Sequence, residues 1–154
     1  MAEMNFEIKI TGLNELIMKL HYSIRESVLL RAMSQSAWEL ARWSKDFRFI
    51  GKGRGGKIRY GKLAKSFAVH PTTLTSRTGL LRGSITATSE KVATNVFIGK
   101  FGTNVKYGPT HEFGDMRRNI PARPFLTPAI KKAENIKKVE QIIMENIQEG
   151  LNKK

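Results

Sequence analysis

The sequence predicts an α+β fold in which an antiparallel sheet of about four strands packs against a long N-terminal helix and a C-terminal helix. Two kinds of periodicity carry that expectation. Apolar and polar residues alternate at Phe6-Glu7-Ile8-Lys9-Ile10 and again between Ser84 and Gly99, the period of a strand with one face buried. Apolar residues recur in steps of three or four from Leu13 to Phe47 and from Ala129 to Leu151, the period of a helix with one buried stripe. At 154 residues the chain is most simply one domain, with a real core and a flexible basic loop at about 51–77.

In chain order, the first strand ends at Thr11-Gly12. The helical stripe then runs through Leu13, Ile17, Leu20, Ile24 and Val28, and on through Leu29, Met33, Ala37, Leu40, Trp43 and Phe47. Ser23 and Glu26 have capping-box spacing, so this helix is expected in two pieces, one ending near His21 and the longer beginning at about Ile24. Its Met and aromatic positions lie on the stripe and are assigned to the core.

Thr78 to Arg82 reads as a tight turn with one helical turn, leading into a strand at Ser84–Thr88. Glu90-Lys91 is the expected reversal of a hairpin that returns through Val92 to Gly99, with Val92, Val96 and Ile98 on one face and Ala93, Asn95 and Phe97 on the other. Thr103-Asn104 then turns the chain into a short fourth strand, Val105-Lys106-Tyr107, and the N-terminal strand joins this meander at one edge.

The segment from Asn104 to Leu126 holds the most specific text. Gly108-Pro109 opens one helical turn to Phe113, and Gly114 ends it, because Pro suits a first helical position and Gly tolerates positive φ just past the last. Pro121 and Pro124 bracket Arg123 and hold that stretch extended. Thr127 is expected to cap the last helix, with Pro128 at its first position and Ala129, Ile130, Ala133, Ile136, Val139, Ile143, Ile147 and Leu151 as its stripe. The loop reads as a rigid tie between sheet and C-terminal helix, close to a subunit contact.

Net charge is +14, and Gly51 to Gly83 carries eight Lys or Arg with no Asp or Glu. Such a field suits phosphate backbones or an acidic protein surface, so Lys52, Arg54, Lys57, Arg59, Lys62 and Lys65 are candidate DNA or partner contacts; the plain alternative is a solvated loop. Tyr60 and Phe67 in that loop suit base stacking or packing against the body. The absence of cysteine removes disulfide scaffolds, zinc ribbons and thiol catalysis. No signal-like N-terminus or membrane-spanning apolar stretch is present, so a soluble protein without membrane contacts is expected.

The sequence carries no recognisable catalytic set, and no cofactor or metal is expected. Gly51 to Lys57 has P-loop spacing, but Ile58 supplies no hydroxyl for Mg²⁺ and no βαβ pattern surrounds it. His21, His70 and His111 lack i, i+4 partners, and Asp115 stands where a zinc-protease motif starting at His111-Glu112 needs its second His. No serine lies in a G-x-S-x-G elbow. His111 reads as a hydrogen-bonded structural side chain one helical turn from Tyr107. Arg123 reads either as a salt bridge or carbonyl clamp fixing the loop, or as a donor fork offered to a neighbouring subunit.

Three elements together resemble the phage virion morphogenesis (tail-completion) family, which includes Mu-like G proteins and related tail-terminator and neck proteins. Thr78, Gly79, Leu81-Arg82 and Ser84-Ile85 match its T-G-x-L-R-x-S-I element. Gly102, Thr103, Asn104, Tyr107, His111, Phe113 and Gly114 match G-T-N-x-x-Y-x-x-x-H-x-F-G, and Pro121, Ala122, Arg123, Pro124, Phe125 and Leu126 match P-A-R-P-F-L. The resemblance implies a tail-terminator-like α+β subunit without catalysis. It would assemble as a ring, a hexamer by family expectation, with tail-tube or head-tail connector proteins as partners. Its location would be the virion, and the host bacterial cytoplasm during assembly. The long glycine-rich basic loop departs from the family pattern; in a ring lumen it would meet DNA or an acidic connector surface. The other reading, which rests on charge alone, is a basic nucleic-acid-binding protein without catalytic activity.

Overall fold

A computed structural model describes residues 4–9, 22–50, 73–75, 78–93 and 96–152. Along the chain these form β1 (Met4–Lys9), α1 (Tyr22–Phe47), the two-residue strands β2 (Phe49–Ile50) and β3 (Leu74–Thr75), α2 (Leu80–Ser84), β4 (Thr86–Ala93), β5 (Val96–Thr103), α3 (Gly108–Phe113), a 3-10 turn at Met116–Arg118, α4 (Thr127–Lys131) and α5 (Ala133–Asn152). The fold is α+β. The first helical piece expected before His21 and nearly all of the basic 51–77 segment, including Lys52, Arg54, Lys57, Arg59, Lys62, Lys65 and the P-loop-like Gly51–Lys57, lie outside the described residues.

The main sheet is antiparallel in the order β1-β5-β4. Phe6, Phe101 and Ala87 stand in one row across it, and Glu7, Lys100 and Thr88 in the next. Because side chains alternate between faces, Phe97, Gly99, Phe101 and Thr103 turn toward α1 while Lys100 turns away. Gly99 sets the spacing of the layers: a Cβ there would lie 2.7 Å from the Met33 carbonyl oxygen and 3.3 Å from the Ala37 Cβ. Ala32, Ala37 and Ala41, all fully buried on α1, keep the helix close to its neighbours. On another side α1 packs against α5, where Val28 touches Gly150. Phe101, Phe125, Met33, Ile85, Leu126 and Ile147 form the fully buried centre.

The structure corrects several expectations. Glu90 and Lys91 do not turn the chain; β4 runs through them to Ala93, and the reversal falls between Ala93 and Val96. Both charges have partners that a strand can supply: Glu90 receives Lys100 Nζ at 2.5 Å and Lys91 reaches Glu26 on α1 at 2.8 Å. The expected fourth strand Val105–Tyr107 is a turn into α3, because Gly108 N donates to Val105 O at 2.8 Å and leaves the run no ladder. The main sheet therefore has three strands.

Thr127 is not the helix cap. Leu126 occupies that position without a side-chain cap bond of its own. The last helix is also broken at Lys132, whose ψ of 120° is extended. There the Asn135 side chain donates to the Ala129 carbonyl at 2.8 Å, replacing the backbone donor that a continuous helix would bring. The break changes the phase of the stripe: Val139, Ile143 and Ile147 are buried as expected, Asn135, Asn146 and Gly150 join them, and Ile136 and Leu151 are exposed. Phe47, expected in the core, is 63% exposed; it stacks on Trp43 at 5.3 Å, with Lys132 Nζ over both rings.

Candidate functional site

The three sequence elements meet at one junction, and its centre is Glu112. Helix α3 carries this residue inward, 2% exposed, between the more exposed His111 and Phe113. Its Oε2 accepts the backbone N–H of Phe125 at 2.7 Å and of Leu126 at 3.0 Å, and its Oε1 accepts that of Thr127 at 2.8 Å. A carboxylate at the start of α4 satisfies amides that a helix leaves unpaired and complements the positive end of its dipole. The cap that Thr127 does not provide thus comes from 15 residues upstream.

Other bonds hold the same loop. Arg48, at the end of α1, donates Nε and Nη2 to the Pro124 carbonyl at 2.9 and 2.8 Å. Arg123 N donates to His111 O at 2.7 Å. Asp115 and Ile120 exchange two backbone bonds of 2.8 and 2.9 Å, closing a small turn in which Asp115 Oδ1 accepts from the Arg117 and Arg118 amides. Gly114 makes the entry possible: its φ is +79°, and a Cβ there would lie 2.9 Å from Ala122 N and 3.0 Å from Ile120 O. The tip stands out, with Met116 99% and Phe113 66% exposed.

The first element joins through Ser84, whose Oγ lies 2.5 Å from Thr103 Oγ1 and donates to Leu81 O at 2.8 Å. Thr103 Oγ1 also accepts from Val105 N at 3.2 Å, so the chain is tied where it leaves β5. Gly79 has φ 76° at the start of α2, and Thr78 Oγ1 accepts from Leu80 N at 3.3 Å. Leu81 and Phe125 are core residues, the latter edge-on to Phe49 at 5.5 Å. Arg82 pairs with Asp46 at 3.2 Å. Pro121 is exposed, and Tyr107 is exposed with its ring edge-on to His111 at 5.8 Å.

His111, expected to be a hydrogen-bonded structural side chain, lies with its ring against Tyr107, but its buried Nδ1 has no hydrogen-bond partner. Burial, and then the neighbouring Arg123 charge, push its pKa below the ordinary histidine value. The carbonyl clamp considered for Arg123 is made by Arg48 instead, and Arg123 Nε is buried without a partner. Glu112 and Arg48 were both absent from the residues that sequence reasoning singled out. Glu112 had one usable signal, an acidic side chain in a helical turn placed before a proline-started helix.

On the outer sheet face a recess of about 440 Å³ is lined by Ser84, Thr86, Thr88 and Lys100, with the segment from Phe101 to Asn104. Lys100 is held between Glu90 and Glu7, and the bond to Glu90 keeps its pKa above the ordinary lysine value. The Ser84 and Thr103 hydroxyls are engaged with each other. Among the described residues no three His, Cys, Asp or Glu gather to hold a metal, and no helix is long and apolar enough to cross a membrane.

No protein-family model matches the chain, and no solved structure matches it. A relative described as "Uncharacterized protein MJ0331", from Methanocaldococcus jannaschii, is 34% identical over 89 residues, 56% of this chain. The match spans 59% of that relative's length.

Proposed function

We propose that this chain is a non-enzymatic virion assembly protein of a tailed phage or prophage, a tail-completion, tail-terminator or head-tail joining subunit that works as a ring. The observation that carries this reading is the ordered set of three sequence elements, Thr78–Ile85, Gly102–Gly114 and Pro121–Leu126. Their convergence supports it: Ser84 binds Thr103, Glu112 binds the amides after Pro124, and the bonds hold an apolar, basic tip outward. A loop braced in this way costs little ordering entropy when it meets a partner. A second reading, a basic nucleic-acid-binding protein without catalysis, is supported by the +14 charge and its concentration in Gly51–Gly83.

Light scattering after size separation, followed by negative-stain imaging, distinguishes the two. The assembly reading predicts a discrete ring, alone or with connector or tail-tube protein. A monomer or dimer whose main property is salt-sensitive, sequence-tolerant DNA binding would replace it with the second.

A further inference from the structure

Two surfaces of the folded chain carry exposed apolar side chains and opposite charge. The first is the tip after α3, where Phe113 and Met116 stand in solvent beside exposed Arg117 and Arg118. The acidic groups of that tip are used internally: Glu112 is buried on three amides, and Asp115 Oδ1 binds two backbone N–H groups. What the tip offers outward is apolar and positive.

The second surface is one flank of α5. Steps of four, four and seven from Ile136 through Glu140 to Met144 and Leu151 place these residues along one side of the helix. All are exposed, Met144 by 51%. In a strongly basic chain α5 is an acidic element, with Glu134, Glu140, Glu145 and Glu149 against Lys137 and Lys138. Lys138 is already engaged by Glu39. This flank offers apolar surface with a negative charge at its middle.

We propose that these are the two halves of one contact between copies of this chain, the Phe113–Arg118 tip of one copy seated on the Ile136–Leu151 stripe of the next. Arg117 would meet Glu140, and Met116 would lie against Met144. The occupant is a second copy because a chain of net charge +14 repels its own kind, and self-association therefore requires a place where unlike charges meet. The two halves are different surfaces, so the contact is head-to-tail: each copy that joins still presents one free tip and one free stripe, and growth ends only when the ring closes. This rests on the assembly reading and adds to it the faces that touch.

The test uses two variants of the full chain with all changes at exposed positions, a tip variant Met116→Glu/Arg117→Glu and a helix variant Glu140→Arg/Met144→Arg. Thermal melts of both should match the native chain. Each alone should lose self-association by about tenfold or more in multi-angle light scattering. An equimolar mixture should recover assembly of alternating copies, since the intact tip of the helix variant meets the intact stripe of the tip variant and the two charge-reversed surfaces meet each other. Combining all four changes should restore assembly by reversing both charges. Native rings that persist in either variant, or a mixture that recovers no assembly, would overturn the contact and leave the assembly reading standing. A native chain that remains monomeric at every concentration, alone and with connector or tail-tube protein, would overturn both.

Discussion

Glu112 accepts the backbone N–H of Phe125 at 2.7 Å across 13 residues of chain, and with that bond a side chain from one helix becomes the cap of another. Leu126 and Thr127 share the same carboxylate. Replacement by Ala would strand three amides in a site that is almost closed to solvent, at about 1–3 kcal/mol for each that finds no new partner. Glu112→Ala is therefore expected to lower unfolding free energy by at least about 3 kcal/mol, and Glu112→Gln, with one acceptor oxygen left, by less. Urea titrations of the three proteins measure this; equal stability of the Ala variant and the native chain would remove Glu112 from the fold's supports.

Two glycines should respond in opposite senses. Gly114→Ala meets both a φ of +79° and backbone atoms at 2.9 and 3.0 Å, and should cost about 1–3 kcal/mol. Gly83 lies within α2 with nothing within 4 Å of a new Cβ, so Gly83→Ala should stabilise by about 0.5–1 kcal/mol. Differential scanning calorimetry on the pair reads both signs in one experiment.

His111 gives the fold a pH dependence. Its folded-state pKa lies below the ordinary 6.5, first because of burial and then because of Arg123. The unfolded chain consequently takes up a proton before the folded one does. The contribution is complete above about pH 6.5 and is lost as pH falls from there through the lowered folded-state value. Subtracting the stability profile of His111→Gln from that of the native chain isolates it, and a flat difference across this window would contradict the assignment.

Arg123 separates fold from assembly. Its Nε is buried without a partner, and Arg48 already holds the loop's carbonyl. Arg123→Ala should leave monomer stability within about 1 kcal/mol of native while weakening ring or connector association. An equal loss of both would return Arg123 to the fold.

Much of this architecture was legible because periodicity reports burial. The α1 stripe from Val28 to Leu40 and the α5 positions Val139, Ile143 and Ile147 are buried as their spacing requires. The turn Gly108–Phe113 and its stop at Gly114 followed from Pro and Gly chemistry. What sequence spacing missed depends on distant partners. Glu90-Lys91 has the composition of a turn but sits in a strand because Lys100 and Glu26 neutralise it from other elements. Lys132 breaks a helix whose local text is continuous because Asn135 takes the Ala129 carbonyl. The candidate site was legible as text but not as a mechanism of support: its three elements could be quoted, while Glu112 and Arg48, which bind them together, act across 13 to 76 residues.

The pairing of β2 with β3 bears on how this chain can vary. Phe49 lies beside Leu74 and Ile50 beside Thr75, so the chain on either side of the basic stretch is fastened at neighbouring points of one small clasp. Closing a longer or shorter connection between fixed, adjacent ends changes its entropy only slowly with length. The clasp therefore acts as a socket: a stretch of different size or charge can be grafted between Ile50 and Leu74 while the body keeps the same anchoring points.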